Sequence, residues 1–184
     1  MTRRALATVA IAALTLAGCA NSQKDSDLKV DTATSAVVKA PAASHEHNHA
    51  MDGGAAPANM KVAANPAFPV GTEVVLKADH MDGMMGATAK IVGAYDTTAY
   101  AVSYTPTTGG AEVKNHKWVV FEELKPHADA ATAELNADHM PGMKGADATI
   151  DSETTETVYM VDVTSGPMQM KNHKWFVESE LAAK

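Results

Sequence analysis

The sequence predicts an all-β protein: two tandem, small SH3-like β-barrel repeats behind a disordered N-terminal tether. Three observations predict it. The chain repeats itself, since Ala78-Asp79-His80-Met81-Asp82-Gly83-Met84-Met85-Gly86-Ala87 returns as Ala137-Asp138-His139-Met140-Pro141-Gly142-Met143-Lys144-Gly145-Ala146. Apolar residues within each copy alternate with period two, the period of a half-buried strand. Only 5% of the 184 residues are aromatic, so each copy can fill a small barrel and not a sandwich.

The elements follow in order. Met1-Thr2-Arg3-Arg4 is a basic start, and Ala5–Leu16 is an apolar run too short to span a bilayer, so residues 1–18 read as a signal peptide. Leu16-Ala17-Gly18-Cys19 resembles the bacterial lipobox. It makes Cys19 the acylated first residue of a lipoprotein, held on the membrane by its lipid. The expected location is the extracytoplasmic face of a bacterial cell envelope, on an outer membrane or a Gram-positive surface. Residues 19–65 lack any aromatic residue and are rich in Ala, Ser, Asp, Lys, Pro and Gly. That composition cannot bury enough apolar area to offset chain entropy and predicts a flexible tether.

Repeat 1 spans 66–125 and repeat 2 spans 126–184. Val74, Leu76 and Ala78 alternate with Glu73, Val75 and Lys77; Tyr100, Val102 and Tyr104 alternate with Ala101 and Ser103; Tyr159, Val161 and Val163 alternate with Met160 and Asp162. Further on, Lys114-Asn115-His116-Lys117-Trp118 returns as Lys171-Asn172-His173-Lys174-Trp175, and Glu123-Leu124 as Glu180-Leu181. His80 and His139 are 59 positions apart, whereas His116 and His173 are 57 apart. The two-residue difference falls at Pro106–Gly110, a turn, where a duplicated module tolerates it. Trp118 and Trp175 are expected at equivalent core positions, with the two copies packed together because each alone is marginal.

Charge and cysteine content exclude several functions. The net charge is −7 and both arginines fall in the first four residues, so no phosphate-neutralising patch for nucleic acid exists. A single Cys builds neither a disulfide nor a Cys-based metal site. With that Cys acylated, no Ser or Thr in a nucleophile motif and no repeated carboxylate pair, the sequence does not read as an enzyme.

The abundant chemistry is thioether and imidazole, with 11 Met and 8 His. In an extended strand Met81 and Met84 would point to opposite faces, but Gly83 and Gly86 allow the backbone to turn. Such a turn can gather one imidazole and two thioethers: His80, Met81 and Met84 in the first copy, with Met85 a spare, and His139, Met140 and Met143 in the second. Thioether is a soft neutral donor that selects copper(I), and His/Met sites suit an oxidising compartment. His116 and His173 become further ligands if the fold closes them onto these loops. Met168 and Met170, two apart, would share one side of a strand and either extend the site or pack, with packing favoured. In the tether, His45, His47 and His49 form a weaker chelating run for copper(II) or zinc. His127 is isolated and carries no assignment.

Lipobox, tether and the two copies of A-D-H-M-x-G-M-x-G-A and N-H-K-W resemble the YdhK-type bacterial lipoproteins, over residues 1–19 and about 68–184. The resemblance implies a tandem domain of long unknown function. Its CopL-like members protect cells by binding copper(I) outside the membrane. The expected function is therefore an extracytoplasmic copper(I)-binding lipoprotein that buffers or sequesters copper, or passes it to an exporter or chaperone. The alternative is a cell-wall- or protein-binding SH3-like module, which requires an exposed aromatic groove.

Overall fold

The computed structural model describes residues 50–184. Cys19, His45, His47 and His49, with the signal peptide and most of the tether, lie outside the described residues. The rest is all-β, with ten strands and no α-helix among the described residues. Repeat 1 contributes β1 (Glu73–Leu76), β2 (Thr88–Tyr95), β3 (Ala99–Tyr104), β4 (Val113–Val120) and β5 (Leu124–Pro126). Repeat 2 contributes β6 (Thr132–Leu135), β7 (Asp147–Thr154), β8 (Val158–Val163), β9 (Met170–Val177) and β10 (Leu181–Ala183). A single 3-10 turn precedes β5 and another precedes β10.

The repeats are tandem in sequence and interleaved in space. The strands form two five-stranded antiparallel sheets, ordered β10-β1-β2-β8-β9 and β4-β3-β7-β6-β5. Each sheet thus takes part of its strands from either repeat, so the boundary near residue 125 does not divide two barrels. The chain crosses between sheets at residues 96–98 and again at 155–157, where three-residue links would otherwise close hairpins. Short strands with little apolar area gain by this exchange, because each sheet then buries residues from both copies.

Alternation places the core as expected at β1, where Val74 and Leu76 are fully buried and Glu73 is exposed. It breaks in β3. A register shift between Ala101 and Val102 is a bulge, which puts Tyr100 out of step with Val102 and Tyr104. One core lies under the first sheet around Leu76, Ile91 and Phe176, and a second under the other around Val102, Tyr104 and Leu135. A third joins the sheets and holds both tryptophans, Trp118 and Trp175, with Val158 and Met160. The tryptophans do occupy equivalent positions, at the junction of the sheets.

Residues 51–63, grouped with the tether on composition, lie against the sheets. Asp52 bridges Lys171 in parallel and Val62 bridges Tyr95 antiparallel, while Met60 and Ala63 are buried. Sheet-edge hydrogen bonding uses the backbone, so it needs no apolar run to announce it.

Candidate metal centre

The two His-Met loops share one construction. In the first, the Met84 amide donates to the Met81 carbonyl (3.1 Å) and the Ala87 amide to the Met84 carbonyl (3.0 Å). In the second, Met143 donates to Met140 and Ala146 to Met143, both at 3.1 Å. These are two consecutive four-residue turns. The third residue of each is Gly83, Gly86, Gly142 or Gly145, with φ between 78° and 82°. That is the type II requirement, and it explains the x-Gly-Met-x-Gly spacing.

The methionines that open the turns point inward. Met81 and Met84 belong to the core of the first sheet, together with Met170 and Phe176; Met140 and Met143 belong to the core of the second, together with Tyr104. Met85, at the second position of its turn, is 57% exposed. Its side chain therefore lies apart from the core shared by Met81 and Met84. Met168 packs against that same core.

The imidazoles pair across the repeats. His80 Nε2 lies 2.9 Å from Glu180 Oε1, and His139 Nε2 lies 3.0 Å from Glu123 Oε1. A carboxylate only accepts, so Nε2 carries the proton, and in the neutral form of each ring Nδ1 is left with a lone pair. Both Nδ1 atoms are buried without a hydrogen-bond partner. Each glutamate also accepts from the other repeat's geometry: Trp118 Nε1 donates to Glu180 Oε2 and Trp175 Nε1 to Glu123 Oε2, both at 2.9 Å. Burial pushes the Glu123 and Glu180 carboxyls up, but the facing histidines, the indoles and the Val120 and Val177 amides outweigh it. Both are held below the usual carboxylate range. Sequence reasoning missed these glutamates as site residues, although their recurrence at the same 57-residue spacing as His116 and His173 was the signal.

His116 closes onto the loop of the opposite copy, and His173 meets His80 through the ring of Phe176. The His116 ring is 6.1 Å from His139 and 6.3 Å from Tyr104. His173 is 5.7 Å from Phe176, on which His80 stacks at 4.8 Å. One candidate centre thus groups His139, Met140 and Met143 with His116 directly, and the equivalent one groups His80, Met81 and Met84 with His173 about the Phe176 ring. The asparagines before them, Asn115 and Asn172, both adopt φ of 50°, a left-handed conformation that Asn tolerates better than most residues. His80 and His116 also line one open cavity of about 470 Å³, and His139 and His173 one of about 10 Å³. The smaller is narrowed by Ala50 and Gly53. Among the described residues no three His, Cys, Asp or Glu side chains converge as a metal cage, so a metal here would need thioether or phenol donors.

The model of a family of proteins of unknown function, DUF1541, matches residues 70–121 and 130–178. The uncharacterized protein YdhK of Bacillus subtilis (strain 168) is 51% identical over 135 residues. That match covers 70% of this chain and 66% of YdhK, just under two thirds of its length. A crystal structure of the DUF1541 family protein YdhK from Bacillus subtilis aligns with a TM-score of 0.65 at 49% identity, covering 71% of this chain and 94% of that one. The solution NMR structure of the YdhK C-terminal domain aligns with a TM-score of 0.58 at 54% identity, covering 64% and 94%.

Proposed function

The chain belongs to the DUF1541 family, and we propose that it is an extracytoplasmic copper(I)-binding lipoprotein that buffers or sequesters copper. One observation carries the reading. His80 and His139 are each fixed by a buried glutamate through Nε2 while Nδ1 stays buried and unpartnered. A metal-binding imidazole commonly has its second nitrogen held by a carboxylate in this way. An unsatisfied buried acceptor costs about 1–3 kcal/mol, a cost that a bound cation removes. The same loops carry the buried thioethers of Met81 and Met84 and of Met140 and Met143, whose softness favours copper(I) over harder divalent ions. Cys19 would supply the lipid anchor, and an exporter or chaperone would receive the metal. The histidines at 45, 47 and 49 would add a weaker site for copper(II) or zinc. Catalysis forms no part of the proposal.

Competition for copper(I) against a chromophoric chelator tests it. The chain is expected to hold two ions in its folded region. The pair Met81→Leu with Met84→Leu, which keeps apolar volume, should remove about one, and Met140→Leu with Met143→Leu another. Full capacity in both folded double variants would sink the copper reading and move a wall- or protein-binding module ahead of it.

A further inference from the structure

The two halves of the molecule are built alike, and three of the equivalent positions at which they differ lie in the cores beside the imidazoles. Tyr104, Val113 and Val119 line the His116/His139 half, where Val163, Met170 and Phe176 stand in the other. In the second, Met170 joins Met81 and Met84 in one core, and the Phe176 ring lies against both imidazoles. In the first, where the smaller Val119 stands, the His116 and His139 rings lie 6.1 Å apart and tilted at 45°. The Tyr104 ring lies 6.3 Å from that of His116, and its hydroxyl is buried with no hydrogen-bond partner, in a residue 2% exposed.

We infer that His116 and His139, closed by the Tyr104 hydroxyl, form a site for a borderline divalent cation of the copper(II) or zinc class, whereas the His80 half is confined to copper(I). The inference rests on the copper reading for the location of the site and departs from it on the ion.

Distance and donor chemistry carry it. A metal–imidazole bond is about 2.0–2.1 Å, with the ring centre about 1.1 Å behind the nitrogen; two imidazoles on one ion therefore have centres between about 5 Å (tetrahedral) and about 6.3 Å (linear). The observed 6.1 Å falls near the wide end of that span, as for two imidazoles close to trans on one ion. Imidazole and oxygen donors suit copper(II) and zinc better than thioethers do, and this half adds an oxygen donor to its imidazoles and to Met140 and Met143, whereas the other adds a third thioether, Met170. The His139 side chain is 5% exposed, and two unpartnered polar atoms, its Nδ1 and the Tyr104 hydroxyl, belong to this half. The His80 half has no hydroxyl in the equivalent place, since Val163 occupies it.

Copper(II) titration of the full chain followed by electron paramagnetic resonance tests the inference. The background carries His45→Gln, His47→Gln and His49→Gln, so that the tether does not compete. One tight equivalent is expected, with superhyperfine splitting from two nitrogens. His116→Gln and His139→Gln should each weaken it at least tenfold, His80→Gln should leave it unchanged, and Tyr104→Phe should weaken it several-fold with altered spectral parameters. A wild-type-core spectrum without two-nitrogen splitting, or an equal loss in His80→Gln, would overturn the inference whatever the folding of the variants. Two copper(I) equivalents without any copper(II) site would sink this inference alone. A copper(II) site without copper(I) binding would uphold it and sink only the copper(I) reading.

Discussion

Glu123 and Glu180 each gather three donors from separate parts of the chain: a histidine, an indole and a backbone amide. Truncating Glu123 leaves a buried imidazole, the Trp175 N–H and the Val120 N–H to find other partners. Breaking a buried pair from one side typically costs about 3–5 kcal/mol, so Glu123→Ala is expected to lower the urea midpoint by an amount of that order. Glu180→Ala should cost less, because the Glu180 side chain is 14% exposed against 6% for Glu123. Equal losses would show that water reaches neither carboxylate. At this scale the loops were legible and their partners were not. Turn chemistry is local, so Gly83 and Gly86 announce the fold of Met81–Ala87. The carboxylate on His80 lies 100 positions away, beyond any local pattern. Donor type alone groups Met85 with Met81 and Met84, whereas its place in the turn decides that it faces out.

Among the elements, the segment Met51–Gly54 on the edge of β9 is the one that composition hid. The Gly53 amide donates to the Lys171 carbonyl and the Lys171 amide to the Met51 carbonyl, both at 2.9 Å, while the Asn172 side chain donates to Asp52 Oδ1 at 2.9 Å. That side-chain bond, then the Gly54 amide, holds the Asp52 carboxyl below its ordinary 3.8. A depressed folded value stabilises above the unfolded one and loses its effect as pH falls through the folded one. Acidification below 3.8 should therefore loosen the segment before the sheets, read as a titrating shift of the Gly54 amide by NMR. At neutral pH, Asp52→Ala should speed tryptic cleavage after Lys61 several-fold, with the sheets intact; unchanged cleavage would mean the backbone bonds suffice. Strand positions themselves were readable from alternation at β1 and β8. The bulge at Ala101–Val102 was not, since an inserted residue leaves the composition unchanged and alters only the phase.

For the whole molecule, the exchange of strands between repeats could not be read from the sequence. Duplicated segments offer the same side chains to a partner in their own copy and in the other, so hydrophobic pattern alone does not choose between them. Connection geometry chooses, at residues 96–98 and 155–157. Residues 66–125 alone should consequently be unfolded, or fold only as a dimer in which two copies trade strands; size exclusion showing a folded monomer would contradict the interleaving. The pairing of β1 with β10 has a further result. Val74 faces Ala183 and Leu76 faces Leu181, as Ala133 faces Pro126 and Leu135 faces Leu124. The link through residues 127–131 thus has a counterpart at the chain ends, where the strands are neighbours without being joined. A circular permutant that opens at 127–131 and joins Lys184 to Pro69 by a short glycine–serine linker should keep the fold and the copper count, at a lower urea midpoint for want of Met60 and Ala63.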